Sequence, residues 1–226
     1  MQPGHKRVRV RGVARIDTMN EPPGLRTLKK ERTRQAIADT AIGLFLAHGF
    51  DGVSVLEIAA AAEVSKPTLF RYFPSKEELV LHRIADHLGE SARVVAARGP
   101  RETPLDALER HHLDRLAARD AVTGLSADPR VLAFHRLVYG TPSLSSHLRD
   151  WIAQDTELLA EALGGPGELT ARLLAAQLVS VRQDLTRVNW QRLSDGMPEE
   201  AAHRQAVEDT ATAFTLLRTG AAGFGY

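Results

Sequence analysis

The chain has 226 residues, of which 43% are hydrophobic and 25% are charged, so it holds enough apolar residues for a folded core. It contains no cysteine, which excludes disulfides, cysteine-ligated zinc, iron–sulfur clusters and thiol catalysis. The net charge of +1 conceals an asymmetry, because residues 1–84 carry 14 basic and 9 acidic side chains while residues 85–226 carry 15 and 19.

The basic front half is a candidate for contact with a polyanion, although chance clustering of solvated charges gives the same count. No apolar run approaches the roughly 18–20 residues that span a bilayer. The basic N-terminus is not followed by the apolar segment of a secretory signal. We therefore expect no membrane partner and a cytoplasmic protein.

Residues 1–24 contain glycines, prolines and the basic run "KRVRVRGVAR", without helical periodicity. They are predicted to form a disordered basic arm. Such an arm could touch DNA phosphates or have no role, and Met19 could be the true start of translation. These alternatives stay open.

From residue 25 onward, apolar residues recur at the three- and four-residue spacing of helices. A first helix is predicted over about Lys30–His48, with Gly49 at its C-terminal cap. Ser54 and Glu57 have the spacing of a capping box, so a second helix begins directly after Ser54. Ser65 is the expected N-cap of a third helix.

Pro74 ends the third helix, and Ser75 is the expected cap of a fourth helix that runs to about Ala97. Segments rich in Gly, Pro, Asp and Ser separate the later helices. The prediction is an all-α protein with further helices near residues 104–119, 128–139, 143–163, 168–191 and 198–218.

The stretch "VSKPTLFRYF" is amphipathic when it is placed on a helix of about 100° per residue. Leu69 and Phe73 share one face, whereas Thr68, Arg71 and Tyr72 lie opposite and offer hydrogen-bond donors. Two short helices joined by a tight turn, the second presenting donors, are typical of a helix-turn-helix, here about residues 54–73. On this pattern alone, an ordinary solvated helix is the alternative.

The span from about residue 33 to 79 closely resembles the DNA-binding domain of TetR/AcrR-type transcriptional regulators. The resemblance rests on the turn "GF", on "SVLEIA" and on "VSKPTLFRYFPSKEEL" at intact spacing. It implies an N-terminal three-helix helix-turn-helix domain over residues 25–91. It also implies a helical ligand-binding and dimerisation domain over residues 92–226.

The resemblance implies DNA contacts from the third helix and its neighbours. Phe70 stands where relatives often carry tyrosine, so either a hydroxyl contact to DNA is lost or Phe70 packs inward. Positions like Tyr72 and Lys76 commonly clamp phosphates in the family. The expected DNA-binding residues are Ser54, Lys66, Pro67, Thr68, Phe70, Arg71, Tyr72 and Lys76.

By the same resemblance, the chain pairs as a homodimer through its last two long helices, about residues 168–191 and 198–218. Such a dimer would read a pseudo-palindromic double-stranded DNA operator. The helices between about 104 and 191 would enclose a small-molecule effector. Candidate wall residues are Phe134, His135, Trp151 and Trp190, for which plain core packing is the alternative.

The sequence "HHLD" invites a metal-binding interpretation, but His111 and His112 are adjacent and point about 100° apart on a helix. A solvated face is the expectation, with no metal and no cofactor. We find no glycine-rich phosphate loop and no catalytic signature. The chain is therefore not expected to be an enzyme.

The function implied is a sequence-specific DNA-binding regulator, most simply a repressor that a small-molecule ligand releases from its operator. A ligand-independent or architectural DNA-binding protein is one alternative, and a transcriptional activator is another. A helical enzyme with an incidental helix-turn-helix is the alternative from a different class.

Overall fold

The computed structural model describes residues 25–164 and 168–221, and its regular elements there are all helical, which confirms the all-α prediction. The predicted basic arm, residues 1–24, lies outside the described residues. A short 3-10 helix, η1, covers Ala121–Thr123. The α-helices are α1 (Leu25–His48), α2 (Val55–Ala61), α3 (Lys66–Tyr72), α4 (Lys76–Ala85), α5 (Glu90–Ala96), α6 (Pro104–Ala117), α7 (Pro129–Gly140), α8 (Pro142–Leu163), α9 (Leu169–Ser194) and α10 (Glu199–Ala221).

The predicted starts of α2, α3 and α4 are confirmed by their caps, whereas α1 begins at Leu25 rather than at about Lys30. Ser54 accepts a hydrogen bond from the backbone of Glu57 at 3.2 Å, and Glu57 accepts one from the backbone of Ser54 at 2.7 Å. Ser65 caps α3 by accepting a hydrogen bond from the backbone of Thr68, and Ser75 caps α4 by accepting one from the backbone of Glu78. These bonds satisfy backbone donors that a helix leaves free at its first turn.

The prediction of one helix from Ser75 to about Ala97 is wrong, because the chain breaks between α4 and α5. Gly89 adopts a left-handed conformation with φ of +69°. Its N–H donates to the carboxylate of Asp155 on α8 at 2.8 Å. A tertiary contact thus replaces the helical hydrogen bond, and the break coincides with the end of the predicted DNA-binding domain.

Helices α1–α4, called the helix-turn-helix unit below, share a core that continues into the second half of the chain. Buried side chains of α1, α2, α3 and α4 form one cluster with three buried residues of α7 and α8, namely Val138, Leu144 and Leu148. Burial of such side chains stabilises each by roughly 1.5–3 kcal/mol. The division into domains at residue 91 stays a prediction, since this apolar cluster crosses it.

Two further clusters complete the core. One joins α5, α6, α8, α9 and α10 around Leu159, Leu178 and Phe214, and the other joins α6, α9 and α10 around Leu116 and Ala206. Over the residues described, no helix is long and apolar enough to cross a membrane.

Gly124 lets η1 lie directly on the backbone of α9. It has φ of +74°, and a Cβ added there would lie 2.1 Å from the carbonyl oxygen of Thr186. Gly196 has a comparable φ of +88°, but a Cβ added there meets nothing within 4 Å.

We expect Gly124→Ala to lower the free energy of unfolding by about 3 kcal/mol, since a left-handed alanine is strained and its Cβ collides with backbone. Gly196→Ala, the matched control, carries only the conformational strain and should cost about 1 kcal/mol. Chemical denaturation of both variants measures the difference. Equal losses would show that the close approach at Gly124 is not structurally important.

Candidate nucleic-acid interface and ligand cavity

The inner face of α3 is buried in the core, and its outer face is exposed. Leu69 and Phe73 are fully buried, and Leu69 packs in the same core cluster as Ile58 of α2. The predicted DNA-contacting side chains lie on the other side of this anchor. Lys66, Pro67, Phe70 and Arg71 are exposed, and Thr68 and Tyr72 are half-buried.

The turn between α2 and α3 is held by local hydrogen bonds. Glu63 is left-handed with φ of +54°, and the N–H of Val64 donates to the carbonyl of Ala59 at 2.9 Å. Ser65 Oγ accepts from the backbone N–H of Thr68 at 3.2 Å and lies 2.9 Å from its hydroxyl. The start of α3 is therefore fixed relative to α2.

Phe70 does not pack inward. It is 38% exposed, and the ammonium of Lys66 lies 5.9 Å from the centre of its ring. The ring therefore lies on the surface that the other candidate contacts share. Phenyl carbons there could contact the methyl group of a thymine.

Lys76 has a structural partner of its own. Its ammonium donates to the carbonyl of Phe50 at 2.5 Å and lies 4.3 Å from the centre of the Phe50 ring. The side chain thus ties the start of α4 to the turn after α1. A phosphate contact by Lys76 stays a prediction, and it would compete with this bond.

The start of α1 adds positive charge that the sequence analysis did not assign to the site. Residues 25–35 carry five basic side chains and one acidic one. Arg26, Lys29 and Lys30 are exposed, and the guanidinium of Arg34 lies 5.4 Å from the centre of the Phe73 ring. The local charge density was the sequence signal that could have identified this region.

A cavity of about 750 Å³ occupies the second half of the chain and reaches the helix-turn-helix unit. Three of the four predicted wall residues line it, namely Phe134, His135 and Trp151. Trp190 lies behind this wall. Its ring centre is 5.3 Å from that of Tyr139, and its N–H donates to the carbonyl of Leu132 at 3.2 Å.

Helices of the predicted DNA-binding domain also line this cavity. Ile42 and Leu46 come from α1, and Ile84 comes from α4. At the exposed edge, Arg83 of α4 donates to Asp39 of α1 at 2.5 Å. Periodicity cannot identify these residues as cavity wall, because it does not distinguish core positions from positions that face a void.

A polar wall crosses the inner part of the cavity. Arg182 of α9 forms an ion pair with Asp155 of α8 and donates to the hydroxyl of Ser91 at 2.7 Å. Nearby, Glu90 of α5 forms an ion pair with Arg115 of α6. These four charged side chains all line the cavity.

The expectation of a solvated face is wrong for His112, whereas His111 is half-buried. His111 Nε2 lies 3.1 Å from Glu90 Oε1, and His112 is only 8% exposed. Burial, with the positive charge of Arg182, lowers the pKa of His112 from 6.5 to about 4. Within residues 25–164 and 168–221, no group of three or more potential ligands is placed to hold a metal ion.

The low pKa of His112 makes stability depend on pH. As the pH falls from 6.5 towards 4, His112 binds a proton in the unfolded chain but not in the folded chain, so the free energy of unfolding falls. At pH 5 the loss from this one group is roughly 2 kcal/mol. Urea denaturation at pH 7.5 and at pH 5 measures how much the free energy of unfolding falls between them. We expect this fall to be smaller by that amount in His112→Gln. A fall as large as in the unaltered chain would contradict the prediction.

Comparison with known proteins agrees with this geometry. The family described as "Bacterial regulatory proteins, tetR family" matches residues 37–82. TcmR of Streptomyces glaucescens, an HTH-type transcriptional regulator, is 33% identical over 169 residues, which are 71% of this chain and 65% of TcmR. LfrR of Mycolicibacterium smegmatis, an HTH-type transcriptional repressor, is 31% identical over 113 residues, 49% of this chain and 58% of LfrR.

A solved TetR-family regulator from Streptomyces coelicolor is 25% identical and superposes with a TM-score of 0.54, covering 87% of this chain and 99% of that one. The chain spans less than two thirds of the length of the curated relatives it matches. The family match lies on the helix-turn-helix unit, whereas the match to TcmR and the structural match extend across most of the chain. Together they show that residues 37–82 form a DNA-binding segment of the TetR family of bacterial regulatory proteins, in a chain that shares the fold of a solved TetR-family regulator.

Proposed function

We propose that this protein is a transcriptional repressor that binds a pseudo-palindromic operator as a homodimer and releases it when a small molecule occupies the cavity. The observation that carries the proposal is the outer face of α3. Its exposed lysine, proline, phenylalanine and arginine lie on a helix whose inner side chains are fully buried. A helix of this width enters the major groove of DNA.

The charges around α3 support DNA as the partner. Lys66 and Arg71 supply donors for base edges or phosphates, and exposed basic side chains at the start of α1 add sequence-independent attraction. Arg34 of α1 lies 5.4 Å from the centre of the Phe73 ring at the end of α3, so this basic side chain lies beside that helix. A polyanion is the partner that such a surface fits.

The outer faces of α9 and α10 support a homodimer. Leu169 and Leu173 of α9 are 69% and 53% exposed, and Leu216 of α10 is 68% exposed. These apolar side chains lie on the two helices expected to pair with a second copy. Two copies would present two α3 helices to the two halves of a symmetric site.

The route from cavity to DNA supports release by a ligand. Ile84 and Arg83 of α4 line the cavity, and His82 of the same helix packs edge-on against Phe73 with ring centres 5.5 Å apart. A ligand that shifts α4 would therefore shift α3. Such coupling requires only that the ligand prefers the conformation that fits the operator poorly.

Repression is favoured over catalysis by the relatives, which are named transcriptional regulators or repressors. The sequence likewise carries no catalytic signature. Because the match covers only part of each curated relative, the activity of the whole protein is part of the proposal.

Selection of genomic DNA fragments by the purified protein, at two salt concentrations, tests the proposal. We expect enrichment of a short site with two-fold symmetry, because a dimer presents two copies of α3. Binding without an enriched sequence would favour the architectural alternative. A reporter placed behind the enriched site distinguishes repression from activation.

We expect Arg71→Ala to weaken binding to the enriched site by about tenfold or more, since Arg71 is exposed on the reading face. If the arginine reads a base, preference at one position relaxes. If it contacts a phosphate, the salt dependence falls by about one charge. Arg110→Ala removes another exposed arginine, on α6, where it pairs with Glu102, and should leave binding unchanged.

Binding titrations on the enriched site and on a scrambled duplex measure both effects. Wild-type affinity and salt dependence in the Arg71→Ala protein would place Arg71 on an ordinary solvated face.

We expect Leu216→Glu to convert the dimer to a monomer, because it places a charge within the proposed contact between copies. Leu56→Glu on α2 is the matched control, since Leu56 is 63% exposed but lies outside the proposed interface. Analytical ultracentrifugation reports the mass of each variant. A Leu216→Glu protein that remains dimeric would place the interface elsewhere.

A further inference from the structure

The inner wall of the cavity carries charges that are already neutralised by one another. The carboxylate of Asp155 is 4% exposed, accepts from the backbone of Gly89 at 2.8 Å and forms an ion pair with Arg182. The guanidinium of Arg182 also donates to Ser91 at 2.7 Å. Both partners of this pair line the cavity, so their charges cancel where a ligand would lie.

The second charged group, Glu90, is balanced in the same way. It forms an ion pair with Arg115 and lies 3.0 Å from a ring nitrogen of His87 and 3.1 Å from one of His111. Burial raises the pKa of Glu90, but the hydrogen bonds from His111 and His87 and the charge of Arg115 outweigh it. The pKa stays well below 4.5, so the carboxylate is ionised and paired. Arg115 also reaches Asp120, which lies nearer to solvent, at 2.8 Å.

Another part of the cavity wall is aromatic. His135 and Tyr139 are stacked with ring centres 5.8 Å apart and an interplanar angle of 22°. Burial lowers the pKa of His135 and raises the pKa of Tyr139, so both rings are neutral near pH 7. Phe134 and Trp151 complete a wall that suits the face of a flat ring.

A ligand with a net charge would find no uncompensated partner on this inner wall. An organic ion would have to lose its hydration or break one of the two ion pairs, and both alternatives are unfavourable in a buried site. The acidic side chains at the cavity edge, such as Asp86 and Asp128, are exposed and screened by solvent and salt. They affect how a charged ligand approaches the cavity more than how tightly it is held inside.

We propose that the cavity takes a neutral, flat aromatic molecule with a few hydrogen-bonding groups, and that it rejects organic cations and anions of the same shape. The ring would lie against the aromatic wall formed by Phe134, His135, Tyr139 and Trp151. Its polar groups would face the paired charges of Asp155 with Arg182 and of Glu90 with Arg115. This inference rests on the proposed function, since it defines the class of ligand for the same cavity.

Three anthracenes that differ only in the charge of one substituent test the inference on the full chain without DNA. They are 9-anthracenemethanol, 9-anthracenecarboxylate and 9-(aminomethyl)anthracene in its ammonium form. The chain has two tryptophans, Trp151 on the cavity wall and Trp190 directly behind it. Energy transfer from tryptophan to a bound anthracene therefore reports binding to the part of the chain that holds this cavity.

We expect the neutral alcohol to bind at least about tenfold more tightly than either ion, because only the ions must be buried with an unpaired charge. An ion that binds as tightly as the alcohol would overturn the inference. Absence of energy transfer with the alcohol would overturn it as well.

Arg182→Met supplies a second test, since it leaves the carboxylate of Asp155 without its guanidinium. In a folded Arg182→Met chain, the ammonium compound should gain at least about tenfold relative to the alcohol. An unchanged order of affinities would overturn the assignment of this pair to the ligand-facing wall. Circular dichroism establishes folding, and the order of affinities in the unaltered chain is informative even if the variant does not fold.

These results are separable from the proposed function. A ligand order opposite to expectation, in a protein whose operator complex still dissociates when ligand binds, contradicts only the ligand class. Tight binding of the alcohol without any effect on the operator complex would contradict ligand-induced release and leave the ligand class intact.

Discussion

The arrangement of the N-terminal and C-terminal halves of the chain depends on the bonds that the buried carboxylate of Asp155 makes. It accepts a hydrogen bond from the backbone of Gly89, between α4 and α5, and forms an ion pair with Arg182 on α9. A buried carboxylate is costly unless charged and backbone donors surround it, and here both kinds of donor are present. The break in the chain at Gly89 is therefore determined by a residue 66 positions away.

That break gives α4 two roles. Its buried residues belong to the same core as α3, while Ile84 faces the cavity. Val138, Leu144 and Leu148 extend the core from the reading helix into α7 and α8. A close-packed cluster transmits displacement better than a flexible linker would, because its side chains have no free volume to absorb it. The continuity of this core is the physical basis for the proposed coupling between cavity and DNA.

Helix α9 shows how one apolar helix serves two packing surfaces. Leu174 and Leu178 are buried within the chain, whereas Leu169 and Leu173 are exposed on the other side. A helix that is apolar on both sides requires a partner on each. The intrachain partners are α8 and α10, and a second copy of the chain is the proposed partner of the exposed side.

Local chemistry was readable directly from the sequence. The caps at Ser54, Ser65 and Ser75, the glycine after α1 and the amphipathic pattern of α3 depend on residues within a few positions of one another. The sequence by itself therefore determined the all-α class, the helix-turn-helix and its inward-facing Leu69 and Phe73.

Only the tertiary structure decided which apolar or polar residue faces a core, a cavity or solvent. His112 is buried although its neighbours in sequence suggested a solvated face, and Lys76 bonds the carbonyl of Phe50. The break at Gly89 and the charge pairs of the cavity wall likewise join residues from distant helices. Helical periodicity specifies the face on which a side chain lies, but the packing of other helices determines what that face meets.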